Sequence, residues 1–126
     1  MHIEDKRILV TGGAGLIGSK LADRLLVDNQ VIVVDDLSNG IRESVPDSAK
    51  FVNGDLTDEA IVAEVVTENL DAVFHLAADK YVNTDRPREQ MEANEAMTFN
   101  LLERMQEVGV DNLLFTSSCT VYGEAP

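Results

Sequence analysis

The chain has 126 residues, 44% of them apolar, which suits one globular domain with a single core. Twenty-three acidic against ten basic residues give a formal net charge of −13, which excludes the basic stripe of a nucleic-acid surface. That acid excess fits an ordinary acidic cytosolic protein and fits adaptation to high salt equally well, and no apolar run reaches the roughly 18 residues of a membrane span.

The opening residues, Met1-His2-Ile3-Glu4-Asp5-Lys6, carry charges and lack the apolar stretch of a secretory leader, so a cytoplasmic location is expected. Arg7-Ile8-Leu9-Val10 reads as a short buried strand that stops at glycines. Leu16 to Asp28 follows with Ile17, Leu21 and Leu25 at helical spacing. Val31-Ile32-Val33-Val34 is β-branched throughout and predicts the second strand. Ser38 to Lys50 is polar, contains Gly40 and Pro46, and reads as a loop with room for one helical turn.

Phe51-Val52-Asn53 predicts a brief third strand, ended by Gly54. Thr57 is expected to cap a helix that buries Ile61, Val62, Val65 and Val66 and ends near Asn69. Ala72-Val73-Phe74-His75 is the fourth strand. Pro87 suits a helix's first position, and the helix it opens is expected to turn Met91, Thr98, Leu101, Leu102, Met105 and Val108 inward before stopping at Gly109. Asn112-Leu113-Leu114-Phe115 is the fifth strand. Wholly apolar strands alternating with helices imply an α/β fold, a doubly wound parallel sheet of about five strands covered on both faces. The lone cysteine, Cys119, has no disulfide partner and reads as a small buried side chain, and with two distant histidines, His2 and His75, no metal site is expected.

Chemistry concentrates in the turn Thr11-Gly12-Gly13-Ala14-Gly15-Leu16-Ile17-Gly18, which follows a predicted strand and opens a predicted helix. That context is what the Rossmann dinucleotide fingerprint demands. Gly12 permits the tight turn, Gly15 lets backbone approach a pyrophosphate, and Gly18 allows close helix–sheet packing. The helix N-terminus then presents N–H groups and a partial positive charge to phosphate. Asp35 closes the second strand seventeen residues beyond Gly18, where a carboxylate accepts from ribose hydroxyls and repels the extra phosphate of NADP. NAD is the expected cofactor.

Together with the segments that follow, these residues resemble the extended short-chain dehydrogenase/reductase family, especially its nucleotide-sugar 4-epimerases. The Gly-rich turn is similar to that family's opening motif, and Asp35-Asp36-Leu37-Ser38-Asn39-Gly40 resembles the segment holding the adenosine end. Gly54-Asp55-Leu56 looks like the segment whose acid and following apolar residue contact adenine, and His75-Leu76-Ala77-Ala78 like the strand-four motif under the cofactor. Lys80 falls where related epimerases place a lysine near the cofactor. Asn94 falls on the asparagine of an Asn-x-x-Gly-Thr pattern whose glycine is Met97 here and whose threonine is Thr98. Ser117-Ser118-Cys119-Thr120-Val121-Tyr122-Gly123 resembles the motif closing strand five.

The resemblance therefore implies cofactor contacts from Gly12, Gly15, Leu16, Ile17, Gly18, Asp35, Asp36, Asn39, Gly40, Asp55, Leu56, Leu76, Ala77, Ala78, Lys80, Asn94 and Ser117. It implies that Ser118 hydrogen-bonds the reacting sugar hydroxyl. His75 reads as a structural strand-end histidine, and Tyr122 as a packing residue rather than a catalytic tyrosine. The implied chemistry is transient hydride transfer between a UDP-sugar and NAD, with a Tyr-x-x-x-Lys pair moving the proton. No Tyr-x-x-x-Lys occurs in the sequence, so the chain is expected to be the N-terminal, NAD-binding part of a longer enzyme and inactive alone. Cys119 and Thr120 stand where dehydratases of the family carry an acid, which favours epimerisation of a UDP-glucose, UDP-galactose or uronic-acid substrate. A dehydratase or reductase of the family, a stand-alone NAD-sensing module and a structural remnant stay open, and the helix from Pro87 to Val108 offers a surface for a homodimer.

Overall fold

Four consecutive residues of the first strand, Ile8 to Thr11, are buried, because this strand lies at the centre of the sheet with helices on both faces. The computed structural model describes residues 2–79, 85–118 and 122–123. The elements in chain order are β1 (Arg7–Thr11), α1 (Leu16–Leu25), β2 (Gln30–Asp35), a 3₁₀ turn (Arg42–Ser44), β3 (Lys50–Asn53), α2 (Glu59–Val65), β4 (Ala72–His75), α3 (Pro87–Val108) and β5 (Leu113–Phe115). All four strand pairings are parallel, in the order β3-β2-β1-β4-β5. This is the expected five-stranded, Rossmann-like α/β sheet.

Alternation along the strands sorts the core into two layers. Ile8, Val10, Val31 and Val33 pack with Ala22 and Leu25 of α1 on one face. Leu9, Val34 and Val73 pack with Val62 and Val65 of α2 and Met97, Leu101 and Met105 of α3 on the other. The three α3 residues recur at four-residue spacing and form one buried stripe. Met91 and Leu102, expected inward, are instead exposed. Leu102 is one residue, about 100°, round the helix from Leu101. Met91 lies N-terminal to the stripe and lines a surface cavity described below. Met97, where the family pattern has glycine, supplies core volume in their place.

Helix ends differ from the expected ones for local reasons. α1 stops at Leu25 rather than Asp28, because the Asn29 side chain takes the Leu25 carbonyl (2.9 Å) and also reaches Ile3 O and Lys6 N. α2 ends at Val65, not near Asn69, since Val66 is extended and its carbonyl accepts from Arg104 Nε on α3 (3.0 Å). The α2 cap is Asp58 rather than Thr57, its carboxylate accepting from Ala60 N at 2.9 Å. Asp58→Ala is expected to lower stability by about 1 kcal/mol. Urea unfolding of the two chains checks it, and an unchanged midpoint would refute the cap.

Candidate functional site

Strand order places the site. The chain moves outward from β1 through β2 to β3, then returns to the far side of β1 for β4 and β5. A parallel sheet that reverses in this way leaves a crevice beyond the carboxyl ends of the two strands at the reversal, here β1 and β4. The Gly-rich turn runs through that crevice.

Its glycines are held by close approaches. Gly12 has φ +71°, and a Cβ there would lie 2.8 Å from Ala77 N. A Cβ on Gly18 would overlap the Gly12 carbonyl oxygen, so α1 can sit this close to the turn only with hydrogen at that position. Gly15, in an extended conformation, precedes α1 and meets only the Gly12 oxygen, at 3.3 Å from an ideal Cβ. The first-turn N–H groups of α1 have no intrahelical acceptor, and no acidic side chain occupies that turn. Leu16 and Ile17 at its head are 77% and 71% exposed, although α1 buries its other face.

Two cavities flank the turn and share Gly12, Gly15, Leu16, Leu76, Ala77 and Ala78. The smaller, about 420 Å³, extends over β2 and β3 and is lined by Asp35, Asp36, Asn39, Gly40, Asp55 and Leu56. The larger, about 990 Å³, extends towards β5 and is lined by Ile17, Gly18, His75, Asn94, Ser117 and Ser118. They adjoin along these shared residues and make a two-part groove beside the N-terminus of α1.

In the smaller half, Asp35 closes β2 and ties two segments together: Oδ2 accepts from Ala14 N (3.0 Å) and Oδ1 from Leu37 N (2.8 Å). Asp36 is exposed and curls back onto Ser38 N (2.9 Å) and Ser38 Oγ (2.7 Å). Gly40 packs on Ala14, whose carbonyl accepts from Ile41 N. Asp55 is also exposed and accepts from Thr57 N at 2.9 Å, while Leu56 is buried beneath it. Arg42 stacks over the Phe51 ring at 4.4 Å.

In the larger half, His75 is buried at the end of β4, as a structural histidine should be. Its Nδ1 lies 2.7 Å from Thr11 Oγ1 and its Nε2 3.2 Å from Thr98 Oγ1. Burial depresses its pKa from 6.5 to about 4, so the ring is neutral near pH 7. Asn94 clamps the segment after β4: Oδ1 accepts from Asp79 N (2.7 Å) and Nδ2 donates to Asp79 O (2.9 Å). Ser117 and Ser118 follow β5 and are exposed at the cavity wall. Tyr122 is 86% exposed, which corrects its expected packing role. Lys80, Cys119, Thr120 and Val121 lie outside the described residues. Among the described residues no cluster of metal-ligating side chains occurs, and no helix is long and apolar enough to cross a membrane.

Thr11 and Thr98, the two hydroxyl partners of His75, do not stand out in the sequence as site residues. Two signals were available. Thr11 precedes the first glycine, and Thr98 sits four residues after Asn94, on the same face of α3.

The fold has close counterparts. Residues 8–126 match the model of the NAD dependent epimerase/dehydratase family. The chain belongs to that family. It is 43% identical to UDP-glucose 4-epimerase of Streptococcus mutans over 92% of its own length. The Thermus thermophilus UDP-glucose 4-epimerase, solved in complex with NAD, superposes with a TM-score of 0.84 at 38% identity, covering 95% of this chain and 40% of that one. The Thermotoga maritima UDP-glucose 4-epimerase, solved with UDP-glucose, gives a TM-score of 0.87 at 35% identity, again over 95% of this chain and 40% of the other. The chain spans about 37% of the length of the S. mutans relative.

Proposed function

We propose that this chain is the NAD-binding, N-terminal part of a nucleotide-sugar 4-epimerase of the UDP-glucose/UDP-galactose type. One observation carries the reading: two cavities adjoin along the Gly-rich turn, with Asp35 in one and Ser117 and Ser118 in the other. A dinucleotide needs two half-sites joined at a phosphate cradle, and this groove has that layout. The residues fit the group: an ideal Cβ at Gly15 has only the Gly12 oxygen near it, at 3.3 Å, so the turn is open there, while Gly12 and Gly18 hold its shape through backbone approaches that leave no room for a side chain.

In this reading the backbone N–H groups at the head of α1 hold the pyrophosphate, and Leu16 and Ile17 cover it. Asp35, Asp36, Asn39 and Gly40 take the adenosine ribose, and Asp55 and Leu56 the adenine. Leu76, Ala77, Ala78, Asn94 and Ser117 border the nicotinamide half, and Lys80 is assigned to the cofactor on the resemblance alone. Bound NAD supplies a hydride acceptor that returns the hydride to the sugar. Ser118 orients the sugar hydroxyl whose proton must leave. These 126 residues contain no Tyr-x-x-x-Lys pair to accept that proton, so the chain alone binds cofactor and does not turn substrate over. Epimerase activity in this chain would contradict that assignment.

NADH titration followed by nucleotide fluorescence tests the reading, with saturable binding expected and its absence overturning it. Asp35 also sets a preference. In this reading its carboxylate meets the ribose, and Arg42, the basic residue nearest to it in sequence, is engaged by the Phe51 ring. Repulsion of a 2′-phosphate by one carboxylate is about 1–2 kcal/mol, so NADH should bind roughly tenfold tighter than NADPH. Asp35→Asn removes the charge, and one of the two backbone hydrogen bonds with it because an amide has a single acceptor oxygen, and should narrow that ratio even if both affinities fall. Tighter NADPH binding by the wild type would show the role of Asp35 to be wrong.

A further inference from the structure

His75 is a buried titratable group that the proposed chemistry leaves unused, yet its hydrogen bonds have a fixed direction. Thr11 Oγ1 accepts from both Leu76 N and Ala77 N, each at 3.0 Å. Its single proton is therefore left to donate, and His75 Nδ1 at 2.7 Å is the acceptor. Nδ1 then carries no hydrogen, and the neutral ring must hold its proton on Nε2, facing Thr98 Oγ1 at 3.2 Å. Thr98 in turn donates to the Asn94 carbonyl at 3.1 Å.

The two N–H groups oriented by Thr11 belong to the segment Leu76–Ala78, which borders both halves of the groove. Ala77 N is also the atom nearest to where a Gly12 Cβ would stand. Leu76 N also reaches the Thr11 backbone carbonyl (3.2 Å), whereas Ala77 N is held by the Thr11 hydroxyl, so the placement of Ala77 against the Gly-rich turn depends on that hydroxyl and its acceptor. We infer that His75 is a positioning residue for the bound dinucleotide, acting through Thr11 and the Leu76–Ala77 backbone by presenting an unprotonated Nδ1. The inference rests on the NAD-binding reading above.

The surroundings keep the ring neutral. β1 offers it Thr11, β5 the Phe115 ring at 5.7 Å, and α3 Thr98. Among the described residues lining the same cavity, Glu95 is the one charged side chain, and it is exposed.

Two near-isosteres separate positioning through Thr11 from simple anchoring of α3 through Thr98. Asparagine places a carbonyl oxygen where Nδ1 was and retains the acceptor for Thr11. Glutamine reaches the Nε2 position, retains a partner for Thr98 and leaves the Thr11 hydroxyl without one. NADH affinity should stay within about threefold of wild type in His75→Asn and fall roughly tenfold in His75→Gln, the usual scale for stranding a buried hydroxyl. Thermal unfolding of each variant shows that the comparison is made between folded chains. Imidazole ¹⁵N shifts in the wild type should show the Nε2–H form across neutral pH. Equal affinities, the reverse order of the two variants, or an Nδ1–H ring would each overturn the inference while leaving NAD binding intact. A wild type that does not bind NADH would overturn both.

Discussion

Gly18→Ala is expected to cost both cofactor affinity and stability, and Gly15→Ala affinity alone. The difference follows from what each new methyl meets. At position 18 it overlaps the carbonyl oxygen of Gly12 and crowds the Gly13 Cα, both backbone atoms that cannot rotate away. Relief requires α1 to withdraw from the turn or the turn to shift, and overpacking of this kind costs about 1–3 kcal/mol. The same displacement moves the helix N-terminus from the position where its N–H groups serve a phosphate, so NADH affinity should drop by roughly 100-fold. At position 15 the methyl meets a single oxygen at 3.3 Å and the backbone is in an ordinary extended conformation, so the apoprotein should fold normally. The methyl then stands where the pyrophosphate must approach. Paired urea melts and NADH titrations of both variants check this, and wild-type affinity in both would remove the Gly-rich turn from the binding site.

Stability should also fall steeply between pH 6.5 and pH 4, because His75 is held neutral in the folded chain. Its folded pKa is about 4 against 6.5 when unfolded, and the cause is desolvation by burial. Between those values the unfolded chain binds a proton that the folded chain refuses, so stability rises with pH across the window and is lost as pH falls. The contribution is complete above pH 6.5, is reduced by about 2 kcal/mol at pH 5, and is reduced by about 3 kcal/mol near pH 4. Carboxylates titrate in the lower part of the same range, so the comparison that isolates the histidine is wild type minus His75→Asn at each pH. Denaturant midpoints at pH 7, 6, 5 and 4.5 should converge as the acid side is approached. Parallel curves would mean that His75 titrates alike in the folded and unfolded chains.

Much of the architecture is legible in local pattern. Apolar tetrads set the strands, and the β4 segment Ala72–His75 has the same limits in sequence and structure. Gly109 ends α3 in the left-handed conformation that glycine favours, at φ +78°, and Pro87 begins it. Where local pattern misled, a partner distant in sequence was responsible. Asn29 halts α1 by reaching across to Ile3 and Lys6, Arg104 of α3 holds the end of α2, and Met97 rather than Met91 or Leu102 completes the buried stripe.

The site divides in the same way. The sequence by itself determined that a Gly-rich turn joins a buried strand to a helix and that an acid closes the next strand, because these features depend on neighbouring residues and their spacing. It also determined the absence of a Tyr-x-x-x-Lys pair. Only the tertiary structure decided that Asp35 bonds back to Ala14 and that its cavity adjoins, along the turn, the one lined by Ser117 and Ser118. Only it showed a hydroxyl–imidazole–hydroxyl chain in the floor, joining Thr11, His75 and Thr98. Thr11 and His75 are 64 residues apart. What joins them is the parallel register of β1 and β4, which pairs these two residues directly, and such long-range pairing is set by the packing of the whole sheet rather than by any local segment.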